Sequence, residues 1–167
     1  MLPSENQYLE LYLLYYRQVY SLLYKLCHNS AVAERLTEEA FADAYRFLLL
    51  FDGRCSFACY VSALAVRSFL RMLRCTTGTR FTIRLYVSDP SAPLWEDCGR
   101  YIQKETDARQ LHEAVLGLPQ RDVRMLLLKL YGGFDEKELA RCFRVNPKAV
   151  SSICCRTQNQ LKEVLLA

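Results

Sequence analysis

The chain has 167 residues, of which 51% are hydrophobic, with only six Gly and five Pro. It is long enough for one ordinary domain or two small ones and too apolar to be disordered. No apolar run reaches the roughly 20 residues of a membrane span. Met1 leads into Pro3, Ser4 and Glu5 with no basic leader region, so a cytoplasmic location is expected.

The formal net charge of +4 is unevenly spread. Residues 1–75 carry eight basic and seven acidic groups, whereas residues 108–167 carry ten and six. The excess in the last third suits a polyanionic partner there. Eight cysteines without an export signal are expected to be reduced, packed as small hydrophobes. Cys55 and Cys59 are four apart, Cys154 and Cys155 are adjacent, and Cys27 precedes His28. None forms a C-x-x-C pair, so no metal and no cofactor are expected. With only His28 and His112 as histidines, and no phosphate-binding glycine loop, catalysis is not expected.

In chain order, Leu9, Tyr12, Leu13, Tyr16, Tyr20, Leu23 and Cys27 recur at helical spacing and predict a helix over 7–27. Further apolar residues spread its greasy surface over more than one face, with core packing expected for most of its tyrosines. His28-Asn29-Ser30 breaks it and can cap a second helix over 31–51, whose stripe is Leu36, Ala40, Ala44, Phe47 and Phe51. Asp52-Gly53 stops that run. A third helix over 56–74 turns Val61, Ala65, Phe69 and Met72 inward and places Tyr60, Arg67, Arg71 and Arg74 on its other face. Those arginines project together and could meet phosphates.

Residues 75–106 change character. Phe81–Val87 alternates like a strand or extended segment, and Ser88–Trp95 holds two prolines. The reading is an extended linker between two helical units.

From about 107 helix returns, and Leu118–Leu161 reads as helix, Gly-Gly break, short helix, tight turn, long helix. Asp135 is a good N-cap with Glu138 three residues on, as in a capping box, and Phe134 and Leu139 occupy hydrophobic-staple positions. The signature repeats at Asn146 and Pro147, with Val145 facing Val150. Two capped helices joined by a tight turn make a helix-turn-helix, whose second helix usually enters the DNA major groove.

Two segments resemble bacterial RNA polymerase sigma factors of the extracytoplasmic-function type. The C-terminal one runs Val115-Leu116-Gly117-Leu118-Pro119, then Glu138-Leu139-Ala140, Val145-Asn146 and Val150. It is similar to their promoter-binding domain, with Val115 for a leading leucine. The N-terminal one, AERLTEEAFADAYRF followed by F-x-x-Y-V-x-x-L-A-x-R-x-x-x-R-x-x-R, is similar to their second conserved region. The resemblance implies an all-α fold of two small helical domains: a region-two-like domain over 1–75, a linker over 76–106 and a region-four-like domain over 107–167.

The resemblance further implies binding to core RNA polymerase and promoter DNA, and an anti-sigma inhibitor among possible partners. Carried onto this chain, polymerase contact falls to Glu34, Arg35, Glu38 and Glu39. Recognition and melting of the minus-ten element falls to Tyr60, Arg67, Arg71 and Arg74. Reading of the minus-thirty-five element falls to Asn146, Lys148, Ala149, Ser151, Ser152, Cys155 and Arg156. Several positions depart from the family. Arg35 and Glu38 replace Asp and Gln, Tyr60 replaces Trp, Arg67 and Arg71 replace Asn and Asp, and Ser151 and Ile153 replace Lys and Arg. Losing Lys and Arg from a recognition helix removes phosphate contacts and bidentate guanine readout, so weaker or differently specific DNA binding is expected. The alternative reading is a sigma-like regulator that acts by protein contact without opening promoters.

Overall fold

The computed structural model describes residues 4–75 and 112–166, and all its regular elements are helical. The extended segment expected over 81–87 and the linker over 76–106 lie outside the described residues.

Helix α1 spans Glu5–Cys27. Ser4 starts it with a reciprocal capping box: its hydroxyl accepts the Gln7 N–H, and the Gln7 side chain accepts the Ser4 N–H at 2.8 Å. Only the C-terminal half of α1 is core, through Val19, Leu22, Leu23 and Leu26. The tyrosines Tyr8, Tyr12, Tyr15, Tyr16 and Tyr20 are half-buried and pack edge-on or stacked with one another and with Phe41 and Phe57. They cover the core instead of filling it, as suits a ring with a polar tip.

His28 closes α1 in the left-handed conformation (φ 49°), and Asn29 caps α2 by accepting the Val32 N–H at 3.0 Å. Helix α2 spans Ser30–Arg46 and does not run to Phe51 as expected. A single 3₁₀ turn, Leu48–Leu50, follows it. The tighter turn buries Leu48 and leaves Leu49 and Leu50 exposed, redirecting the chain toward the next helix. Phe47 and Phe51 therefore sit at the rim and not on the α2 stripe.

Helix α3, Phe57–Cys75, is the centre of the molecule. Ser56 caps it by accepting the Cys59 N–H at 3.1 Å. Val61, Leu64, Ala65 and Phe69 are buried, and so are Ser62, Val66 and Leu70, leaving little of its length open. The reason is packing from both halves of the chain. Helices α1 and α2 pack on α3, and so do the first two helices of the C-terminal half.

That half begins with a helical stretch over 112–117. Helix α4 spans Gln120–Gly132, α5 spans Glu136–Phe143, and α6 spans Pro147–Leu166. Gly133 ends α4 in the left-handed conformation (φ 70°), the expected role of the Gly-Gly break. Val123, Leu126, Leu127, Leu139, Val150 and Leu161 supply the local core. This core is continuous with that of residues 4–75. Each fully buried aliphatic side chain contributes on the order of 1.5–3 kcal/mol, so the shared apolar seam is a substantial interaction. Polar links also cross it: Arg144 to Asp52 at 3.2 Å, and His112 Nε2 to the Leu73 carbonyl at 3.1 Å.

Candidate nucleic-acid interface

The helix-turn-helix forms as the caps predict. The Asp135 side chain accepts the Glu138 N–H at 2.8 Å. The second half of the expected capping box is not made. Glu138 Oε1 instead accepts the backbone N–H of Ser56 at 2.6 Å, across the seam. Helix α5 ends at Arg144, which is left-handed (φ 56°) and returns its N–H to the Ala140 carbonyl. A non-glycine residue in that region costs about 1–2 kcal/mol, which fixes the sharp turn into α6. Asn146 Oδ1 then accepts the Lys148 N–H at 2.9 Å. Val150 anchors α6 from beneath, fully buried.

The leading end of α6 is open to solvent. Asn146, Lys148, Ser151, Ser152, Cys155 and Arg156 are exposed, and Ala149 is half-buried. A shallow groove of about 530 Å³ runs along this face, lined by Ser151, Ser152, Cys155, Arg156, Asn159, Gln160 and Glu163. Hydroxyls and amides there can bond base edges or phosphates. Its one basic side chain is partly committed, because Arg156 pairs with Asp122 of α4 at 3.0 Å. Lys148 is thus the main cation of this end not held in an ion pair among the described residues.

The N-terminal residues are arranged differently from their sequence spacing. Arg67 pairs with Asp43 at 3.6 Å, and Arg71 pairs with Glu39 at 2.6 Å. Both arginines are therefore tied to α2; Arg71 and Arg74 are exposed and Arg67 is half-buried. Tyr60 is half-buried; its hydroxyl donates to the Phe47 carbonyl at 3.3 Å and its ring lies 4.8 Å from that of Phe51. Burial pushes its phenol above the usual range. Of the acidic set, Glu34 and Glu38 are exposed on α2, whereas Glu39 is engaged by Arg71. Arg35 is exposed and lies 3.4 Å from the Met72 sulfur.

Three residues that matter here, Asp43, Arg144 and Arg124, were not singled out by pattern, and Glu138 was singled out only as a capping residue. Asp43 is nearly buried and pairs with both Arg46 and Arg67. Glu138 and Arg144 tie the helix-turn-helix to the N-terminal half. Arg124 is half-buried over the Phe143 ring, and burial together with neighbouring Arg67 depresses its pKa. These are pairings between residues distant in sequence, and nothing local marks them.

Residues 11–79, which include this α2–α3 unit, match the family model described as sigma-70 region 2. The RNA polymerase sigma factor YlaC of Bacillus subtilis (strain 168) is 20% identical over 154 residues, spanning 92% of this chain and 89% of that protein. The co-crystal structure of the sigma factor RpoE in complex with the anti-sigma factor NepR from Bartonella quintana matches with a TM-score of 0.50 at 15% identity, covering 95% of this chain and 96% of that one. Residues 11–79 thus carry a sigma-70 region 2, and the chain is similar over most of its length to an RNA polymerase sigma factor. Its role is in transcription initiation, and sigma factors are not enzymes. The RpoE likeness carries the fold: two helical domains, as the sequence implied. The matched residues take in most of α1 and all of α2 and α3, and α4 to α6 carry the helix-turn-helix. Among the described residues no helix is long and apolar enough to cross a membrane.

Proposed function

We propose that this sigma factor binds core RNA polymerase in the cytoplasm and directs it to promoters, with the C-terminal domain reading the minus-thirty-five element and the N-terminal domain recognising and melting the minus-ten element. The observation that carries this is the exposed leading end of α6 on a properly capped helix-turn-helix, in a chain that also holds a sigma-70 region 2. Lys148 supplies phosphate contact, and Ser151, Ser152 and Cys155 face base edges. With so few free cations, affinity for duplex comes mainly from the assembled holoenzyme, where polymerase fixes the spacing of the two domains. The exposed Glu34, Arg35 and Glu38 face of α2 supports polymerase docking. Tyr60 and the arginines of α3 suit the capture of unstacked bases, by ring stacking and phosphate pairing. That use requires Arg67 and Arg71 to leave Asp43 and Glu39.

A second reading has its own observation. Because Arg67 and Arg71 are already paired within the protein, the chain could act by protein contact, occupying polymerase or a partner without opening promoters. An anti-sigma inhibitor of the kind seen with RpoE would then hold the halves together. Run-off transcription with purified core polymerase over a randomised promoter library separates the two readings. Initiation that fails when Lys148 and Ser151 are both changed to Ala supports the first. Polymerase binding without any transcript sinks it and supports the second.

A further inference from the structure

The seam between the two halves contains a cluster that neither the fold nor the DNA reading uses. Cys55 precedes α3, Cys59 lies in its first turn, and Cys142 comes from the last turn of α5. Their three sulfurs all lie within 4.8 Å of one another. Cys55 and Cys59 are buried and Cys142 is half-buried. Ligand sulfurs at about 2.3 Å from a shared ion stand roughly 3.8–4.0 Å apart in tetrahedral or trigonal geometry. The cluster is therefore close to a coordination shell with no backbone rearrangement.

We propose that Cys55, Cys59 and Cys142 bind a thiophilic d¹⁰ cation, zinc(II) or copper(I), which clamps the helix-turn-helix half onto the region-two half. Soft thiolates select these ions over the hard cations. Placing the cation between the three sulfurs displaces the thiol protons to solvent and forms three metal–sulfur bonds.

The surroundings match the charge of such a complex. Three thiolates around a mono- or divalent ion leave a net negative group. Arg124 acts electrostatically on Cys142, and Arg67 lies near enough to Arg124 to depress it. The Nε of each is buried and finds no hydrogen-bond partner among the described residues. Arg124 thus sets a positive charge beside the cluster, which an anionic metal–trithiolate complements. Three protein ligands leave a fourth position for a small exogenous donor on zinc, or complete a trigonal shell on copper(I).

Because the ligands come from both halves, the ion stabilises only the closed arrangement, in proportion to its concentration over its dissociation constant. Metal loading then holds α4 and α5 over α3, and metal loss frees that face. Whether closure silences promoter use rests on the function proposed above; the metal site does not.

The test uses the full-length protein, reduced and metal-free, titrated anaerobically with cobalt(II), zinc(II) and copper(I). Supporting results are one equivalent of cobalt(II) with thiolate-to-metal charge-transfer absorption, displacement by zinc or copper(I), and an affinity lost in Cys142→Ser and Cys59→Ser by more than the about 10–100-fold that an outer-shell change costs. Exposed Cys75→Ser keeps the wild-type affinity. Hydrogen exchange of the wild-type protein needs no variant: the α3 amides slow on loading and recover with chelator. Absent binding, binding indifferent to Cys142→Ser, or α3 exchange identical with and without metal each overturns the proposal. None of these results depends on whether the protein initiates transcription.

Discussion

Glu138 and Ser56 are 82 positions apart, and the carboxylate of one accepts the backbone N–H of the other at 2.6 Å. The bond joins the first turn of α5 to the cap of α3, so one side chain ties both halves. Glu138 also meets Arg141 at 3.4 Å, a pair with an exposed guanidinium that contributes little. The Ser56 bond is the stronger one, because its acceptor is charged. Glu138→Ala should lower stability by about 1–3 kcal/mol, read as a shifted urea midpoint. Glu138→Gln keeps an acceptor and should recover most of that loss. Equal midpoints for the two variants would show that the bond is not made in solution.

Asp122 restrains Arg156 at the recognition face. Asp122→Ala should release the guanidinium for phosphate and raise DNA affinity, while Arg156→Ala should lower it. The salt dependence separates this from folding effects. Loss of one phosphate contact reduces the slope of log affinity against log salt by about 1. Asp122 also lies in the first turn of α4, where a carboxylate favours the helix, so its removal should cost about 0.3–1 kcal/mol of stability. DNA titrations of the full chain at two salt concentrations check both. An Asp122→Ala protein that binds DNA more weakly would contradict the assignment.

Tyr8 gives the fold an alkaline limit. Its hydroxyl donates to the Phe41 carbonyl, and burial, with the neighbouring Tyr12 and Tyr45, pushes its pKa up to about 12 from 10.0. The folded state keeps its proton where the unfolded chain loses it. Stability is therefore fully present below pH 10 and falls as pH rises toward about 12. Tyr8→Phe should be less stable at neutral pH, for want of the hydrogen bond, and should show a shallower decline across that window. Urea midpoints at stepped pH measure it. Parallel declines for variant and wild type would remove Tyr8 as the cause.

Gly133 holds the left-handed position between α4 and α5, with open space where a Cβ would stand. Gly133→Ala should therefore cost only the backbone penalty, about 1–2 kcal/mol, seen as a fall in Tm. Gly132→Ala differs in mechanism, because its Cβ would come within 2.7 Å of the Phe134 ring. That ring must move, so Gly132→Ala should disturb the approach to α5 as well as the Tm. A Gly133→Ala protein as stable as wild type would mean the turn relaxes out of the left-handed region.

Most of the local architecture was legible in the sequence. Asp135, Asn146, Asn29 and the Gly-Gly break mark helix ends because caps act over three or four residues. Those residues alone specify the hydrogen bonds. The exposed end of α6 follows from the same register once Val150 is turned inward. The α2 boundary was misplaced because Phe47 and Phe51 continue the helical stripe, while the burial of Leu48 decides for a 3₁₀ turn, and that burial depends on a neighbouring helix.

By itself, the sequence determined the helices, their caps, the helix-turn-helix and the two-part plan, all products of short-range spacing. Only the tertiary structure decided which charges are spent. Arg67 and Arg71 look like a phosphate-binding row until Asp43 and Glu39, from another helix, claim them. Cys142 looks like a lone packed thiol until the seam sets it beside Cys55 and Cys59. Electrostatic and thiol chemistry depend on distance through space, and in this chain the decisive partners stand 24 to 87 positions apart.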